Sequence, residues 1–247
     1  MEVTGHCACD KHYHNKICKN SLETEFSAKN IVYADEIEQA YRLRHEVFSG
    51  ELAWVPISSD GREVDAYDVH AEHFGVFRNH RIASYLRLVM PDYRFMLEKE
   101  FSCLVSPDHE IRRASDTCEV SRLCVSQNER GTKVDTTIGH IGVSMFLYRS
   151  VYQWCIRYGV RHLYLVVEHR VYRLLSMLGF PCSLVGEPTR MPDGVVAVAA
   201  VMDWRKFEEV NGRKRPALMS WFNQSRSFRG GLPLQPLEPG SQPRAFS

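Results

Sequence analysis

The sequence predicts a single α/β domain, a mixed sheet flanked by helices, and three observations predict it. Residues 73–78 and 82–89 read as two largely apolar strands joined by an Asn79-His80 turn, an antiparallel hairpin. The run His162-Leu163-Tyr164-Leu165-Val166-Val167 is apolar enough to lie inside a sheet covered on both faces. A long helical pattern over residues 136–158, closed by Gly159, stands between that run and a strand at 117–125, giving one βαβ crossover. With 247 residues and 44% hydrophobic content, the chain can bury one full core.

Taken in order, residues 1–22 form an N-terminal arm expected to be flexible. It holds His6, Cys7, Cys9, His12, His14 and Cys18, but the spacing matches no established zinc finger or knuckle, so no metal is assigned. The arm has no apolar stretch of the kind that marks a secretory signal, and no run in the chain is long enough to span a bilayer. A cytoplasmic protein with reduced thiols is expected. The formal net charge of +1 gives no bulk-charge argument for nucleic acid, and none is expected as a partner.

Residues 23–33 read as the first strand and 35–51 as the first helix, with Asp35 as N-cap and Glu38 completing a capping box. Ile37, Ala40, Tyr41, Val47 and Phe48 fall on one helical face, and Arg44 lies on the same face. An arginine directed inward needs carboxylates, because an unpaired buried charge costs several kcal/mol, roughly, and the guanidinium cannot deprotonate. Asp65 and Asp68, after the Ser58-Ser59-Asp60-Gly61 turn, are the nearest supply. Arg44 alone reads equally well as an ion pair that fixes the helix.

Residues 95–101 are short helical or irregular chain, 106–116 a loop, and 117–125 a strand carrying Glu119 and Arg122. Positions three apart on a regular strand face opposite ways, so these two share a site only across a bulge. The loop 127–133 is expected to run into the long helix and leave an anion site at its N-terminus. A helix at 172–178 stopped by Gly179, a strand at 180–185 and another at 195–202 complete a domain expected over 23–210. Residues 211–247 are basic, with Arg213, Lys214 and Arg215 beside Lys206, then rich in Gly, Pro and Ser, and are expected to be disordered.

The ordered set Arg44-x-x-x-Phe48, Trp54, Glu63-x-Asp65-x-x-Asp68, Arg87-Leu88 and Glu119-x-x-Arg122 resembles the signature of the LuxI-type N-acyl-homoserine lactone (autoinducer) synthases, over about residues 36–203. The resemblance implies a GNAT-like fold and transfer of an acyl group from an acyl-carrier-protein thioester to the amine of S-adenosylmethionine. That amine donor would be a substrate, with acyl carrier protein the partner and no cofactor. By the same resemblance Glu119 is the catalytic base, with Arg122 beside it. Arg44, Asp65, Asp68 and Arg87 would shape the acceptor pocket, Asp65 and Asp68 holding its cationic groups, and Phe48 with Trp54 would close an aromatic lid.

The residues support that chemistry independently. A carboxyl among apolar neighbours, as Glu119 is, has the raised pKa that a general base needs. Leu163, Leu165 and Val167 can line an acyl slot from one strand face. Asn128 and Lys133 depart from the GNAT pyrophosphate loop, which fits a carrier-protein donor better than coenzyme A. An N-acyl amino acid synthase, an exosortase-associated acyltransferase and a non-catalytic acyl or carrier-protein binding module remain open.

Overall fold

The structure, a computed structural model, describes residues 25–224. The Cys/His arm and the tail from residue 225 lie outside the described residues. Strand β1 (Phe26–Asn30) leads into helix α1 (Ala34–Arg44), which widens into a π-helical turn, His45–Glu51. Asp35 is not the N-cap: the helix starts after Tyr33 without a side-chain cap, and Asp35 and Glu36 sit in its first turn, where their charge complements the helix dipole.

Strands β2 (Ala71–Arg78) and β3 (Arg81–Val89) form the expected hairpin. Asn79 and His80 both take positive φ, 50° and 64°, as a two-residue turn matched to strand twist requires. Two short 3-10 turns, Met96–Glu98 and Ser102–Leu104, precede β4 (Thr117–Val125). After β4 the chain makes a small separate hairpin, β5 (Lys133–Thr136) and β6 (Gly139–Gly142), and only then helix α2 (Val143–Tyr158). The helix expected from 136 thus starts seven residues later, because Gly139 turns at φ 98° and Gly142 is extended. The intervening hairpin also separates the 127–133 loop from the helix N-terminus, which removes the direct strand–loop–helix anion site.

The rest comprises β7 (His162–Glu168), α3 (His169–Leu178), β8 (Cys182–Leu184), β9 (Thr189–Arg190), β10 (Val196–Asp203), α4 (Trp204–Lys214) and α5 (Pro216–Asn223). The main sheet runs β1-β2-β3-β4-β7-β10-β8, with β9 on β10; β4 and β7 pair in parallel and the other ladders are antiparallel. The mixed sheet with flanking helices is the fold the sequence predicts. The folded unit extends beyond the expected boundary at 210, which falls inside α4. Trp221 and Phe222 of α5 are fully buried with Phe207 and Phe146 in the core under α2, so 211–223 is ordered, not tail. Arg215 is correspondingly committed to the Met177 carbonyl and Asn211.

Successive β3 residues alternate between layers. Leu86 and Leu88 pack with α2, while Tyr85 packs with α1 and Val89 with the 3-10 turns. Arg87 therefore lies on the α1 side of the sheet, where its neighbours are the turn-rich segment before β2. The parallel ladder between β4 and β7 ends at the pair Val120 and Leu165, and beyond it the two strands part.

Candidate active site

Helix α1 carries Arg44 into the protein, where it is 0% exposed. Its Nε donates to Glu63, and its two Nη groups grip both oxygens of Asp68 at 2.6 and 3.2 Å. From β3, Arg87 donates to Asp65 and to Asp68 Oδ1, the latter at 2.7 Å, while its Nε reaches Ser121 Oγ at 2.9 Å. Arg122 donates to Glu63 Oε1 at 2.9 Å and Asp65 Oδ2 at 2.8 Å. The pairs close on themselves. Arg44, Glu63, Arg122, Asp65, Arg87 and Asp68 form a ring in which each charge touches two of opposite sign.

Such burial is tolerable only because every member is bonded and the six formal charges cancel. Burial alone raises carboxyl pKa values, but the guanidinium bonds outweigh it and hold Glu63 and Asp68 below the usual range. His73 props the ring from behind, its Nε2 at 3.1 Å from the Asp68 carbonyl and its Nδ1 at 2.6 Å from Tyr85 Oη.

The bulge in β4 completes the ring. Tyr85 pairs with Cys124 but Arg87 with Ser121, so β4 contains one residue more than β3 there, and Arg122 takes φ 53°. The extra residue turns Arg122 to the side of the sheet that holds Glu63 and Asp65. Glu119 and Arg122 do not pair with each other. Glu119 is 2% exposed and accepts from the Met96 and Leu97 amides at 2.6 and 2.8 Å. Burial pushes its pKa up to about 7, with Glu100 adding to the rise and the two amides and Arg87 opposing it. A carboxyl so placed can bind and release a proton near neutrality.

Glu119 and Arg122 lie in the wall of a cavity of about 700 Å³. Phe48 and Trp54 line one part of it, stacked with ring centroids 6.2 Å apart, and the Phe48 ring lies under the Arg122 guanidinium. Trp54 stays 47% exposed. The cavity passes where β4 and β7 part, and Leu163, Leu165 and Val167 line it as the sequence suggests, with Leu175, Phe180 and Trp204. A second cavity of about 380 Å³, lined by Pro56, Ser58, Asp60, Arg62, Glu63, Val64 and Asp65, shares Val55 and Arg122 with the first.

All eight residues singled out in the sequence meet here: five in the ring, two in the aromatic stack, and Glu119 in the cavity wall. One assignment changes. Asp68 is 5% exposed and accepts from both Arg44 and Arg87 and from the Asp65 amide, while Asp65 is claimed by Arg87 and Arg122. Their charge is thus spent inside the ring and is not free for an acceptor's cations. Sequence reasoning missed Glu63, which joins Arg44 to Arg122; the signal was its place in Glu63-x-Asp65-x-x-Asp68. Among the described residues no group of three or more His, Cys, Asp or Glu side chains could hold a metal, and no helix is long and apolar enough to cross a membrane.

A parted β4–β7 seam, an apolar cavity through it and a buried carboxyl of raised pKa in its wall suit an acyltransferase. Residues 28–210 match the family model described as autoinducer synthase, and the chain belongs to that family. Its activity is accordingly that of an acyl-homoserine-lactone synthase. It is 29% identical over 185 residues to an acyl-homoserine-lactone synthase of Rhizobium radiobacter, covering 70% of this chain and 82% of that protein. A probable acyl-homoserine-lactone synthase of Sinorhizobium fredii is 28% identical over 204 residues, covering 80% and 95%. Among solved structures, the CoA-dependent synthase BjaI with SAM and isopentyl-CoA superposes with TM-score 0.65 at 22% identity, over 76% of this chain and 89% of that one. The AHL synthase LasI gives 0.64 at 17%, over 76% and 94%.

Proposed function

We propose that this chain transfers an acyl group from an acyl-carrier-protein thioester to the amine of S-adenosylmethionine, after which the product closes to an N-acyl-homoserine lactone with loss of methylthioadenosine. The observation that carries this reading is Glu119, a nearly unexposed carboxyl with its pKa near 7 in the wall of an apolar cavity. An ammonium group is no nucleophile until it loses a proton. Glu119 takes that proton, directly or through one water, and the amine then attacks the thioester carbonyl; the carbon–sulfur bond breaks, and the carrier's thiolate leaves as the free thiol with the nitrogen's second proton.

Arg122 lines both cavities; its charge is balanced inside the ring, but its Nη1, set against the Met96 sulfur at 3.8 Å and not against a carboxylate, has an N–H for the oxygen that gains charge during attack. The apolar stretch between β4 and β7 takes the acyl chain. Arg44, Asp65, Asp68 and Arg87 fix Arg122 and the pocket floor in one geometry, and Phe48 with Trp54 covers the acceptor. The half-exposed Trp54 fits a lid that tightens when the pocket fills. A carrier-protein donor is supported by Asn128 and Lys133, which depart from the GNAT pyrophosphate loop, and by the β5–β6 hairpin that separates this loop from the N-terminus of α2.

Mass spectrometry of products from acyl-carrier-protein and acyl-coenzyme A thioesters, each with S-adenosylmethionine, tests the reading. Acyl-homoserine lactone and methylthioadenosine, formed faster from the carrier-protein thioester, are expected. Faster product from coenzyme A overturns the donor assignment, and no lactone from either overturns the acceptor.

A further inference from the structure

S-adenosylmethionine carries two cationic centres, an α-ammonium and a sulfonium. The first faces Glu119 during proton removal. The second is favoured by a negative charge of its own, since a cation that loses part of its hydration without one is costly. The charge ring offers none, because its three guanidinium and three carboxylate groups cancel pair by pair.

Three carboxylates besides Glu119 line the large cavity: Glu100, Glu168 and Asp193. Glu168 is paired with Arg170, and Asp193 accepts from the Val195 amide in its own turn. Glu100 differs. Its Oε2 is held by Tyr67 Oη at 2.6 Å, a neutral donor that orients the carboxylate without cancelling it. Burial and Glu100 itself raise the Tyr67 pKa, so Tyr67 remains the donor. The Tyr67 ring in turn lies beneath the Arg87 guanidinium, 5.6 Å from it, which ties Glu100 to the ring's geometry. Lys99 Nζ is 3.5 Å from Oε1, but that side chain is 68% exposed, where water screens its charge, and Glu100 is 34% exposed. Glu119 accepts from the Met96 and Leu97 amides, four and three residues before Glu100 in the chain, and both carboxyls line the same cavity.

We infer that Glu100, oriented by Tyr67, is the carboxylate that recognises the sulfonium of the acceptor. The inference rests on the S-adenosylmethionine reading. Glu100 is a substrate-recognising residue and takes no proton in the acyl transfer.

The test compares wild-type enzyme with Glu100→Gln and Tyr67→Phe by titration calorimetry, using S-adenosylmethionine and its uncharged thioether analogue S-adenosylhomocysteine. Glu100→Gln is expected to weaken S-adenosylmethionine roughly 5- to 30-fold, the span of one to two kcal/mol, with S-adenosylhomocysteine unchanged. Tyr67→Phe is expected to weaken the charged ligand by less, in the same direction. In steady state, well above pH 7 where Glu119 is ionised in both proteins, the acceptor KM rises in Glu100→Gln while the donor KM holds. Equal weakening of both ligands means Glu100 acts through shape and overturns the inference, as does no change in either. The two readings fail separately: wild-type enzyme that forms no lactone from S-adenosylmethionine sinks the acceptor assignment, whereas normal turnover with an unchanged Glu100→Gln KM sinks this inference alone.

Discussion

At the scale of single residues, the site separates charge that holds the fold from charge free for chemistry. Arg44 belongs to the first kind. Replacing it with alanine leaves Glu63 and Asp68 each short of a partner in the interior, and a cost of about 3–5 kcal/mol is expected in urea unfolding. A loss under about 1 kcal/mol means that water reaches the ring and compensates it, by the standard of exposed ion pairs. Glu119 belongs to the second kind, and its pH behaviour has a definite sign. As a base it must be unprotonated, so kcat/KM rises with pH through about 7. Its folded pKa lies above the unfolded value, so between about 4.5 and 7 the native state holds more protons than the unfolded one. Its contribution to stability is therefore present at low pH and fades across that window. Glu119→Gln removes the titration, so its melting temperature relative to wild type is expected to climb from pH 4.5 to 7. A difference that stays flat with pH means Glu119 is not perturbed.

At the scale of elements, the β4 bulge and α5 carry the argument. The bulge was foreseeable, because Glu119 and Arg122 stand three apart and can share a face only if the strand gains a residue; φ 53° at Arg122 is the form this takes. Ring closure was less legible, since Glu63 and Arg122 are 59 positions apart and an acidic residue in a turn-rich segment reads as solvated surface. Helix α5 was hidden for another reason. It spans eight residues, too few for a 3.6-residue period to declare itself between a basic run and a Pro/Gly/Ser-rich one. Its two aromatic residues are nonetheless core. Trp221→Ala is expected to cost about 3–5 kcal/mol, and a chain cut at 210 to melt well below the full one. Equal melting temperatures contradict the packing of α5 in the core.

At the scale of the whole molecule, one sheet does two jobs. Its paired part, β1 to β4, fixes the charge ring against α1, and its parted seam between β4 and β7 opens the apolar cavity under α2 and α3. The sheet was legible in the sequence: the hairpin follows from two strand-like runs about Asn79-His80, the crossover from the helical pattern closed by Gly159, and the central strand from the apolar run at 162–167. The compensation of Asp65 and Asp68 by three arginines was not, because it depends on which distant guanidinium groups arrive, and only three dimensions show that. The central claim is that a single buried carboxyl at the junction of charge ring and cavity deprotonates the amine. Single-turnover acyl transfer by Glu119→Gln, alongside acyl-donor binding by the same protein, tests it most directly. Donor affinity within about twofold of wild type is expected, with a transfer rate lower by roughly 10²- to 10⁴-fold, the usual contribution of a positioned base. Transfer at the wild-type rate with normal donor binding would contradict it and move the base elsewhere.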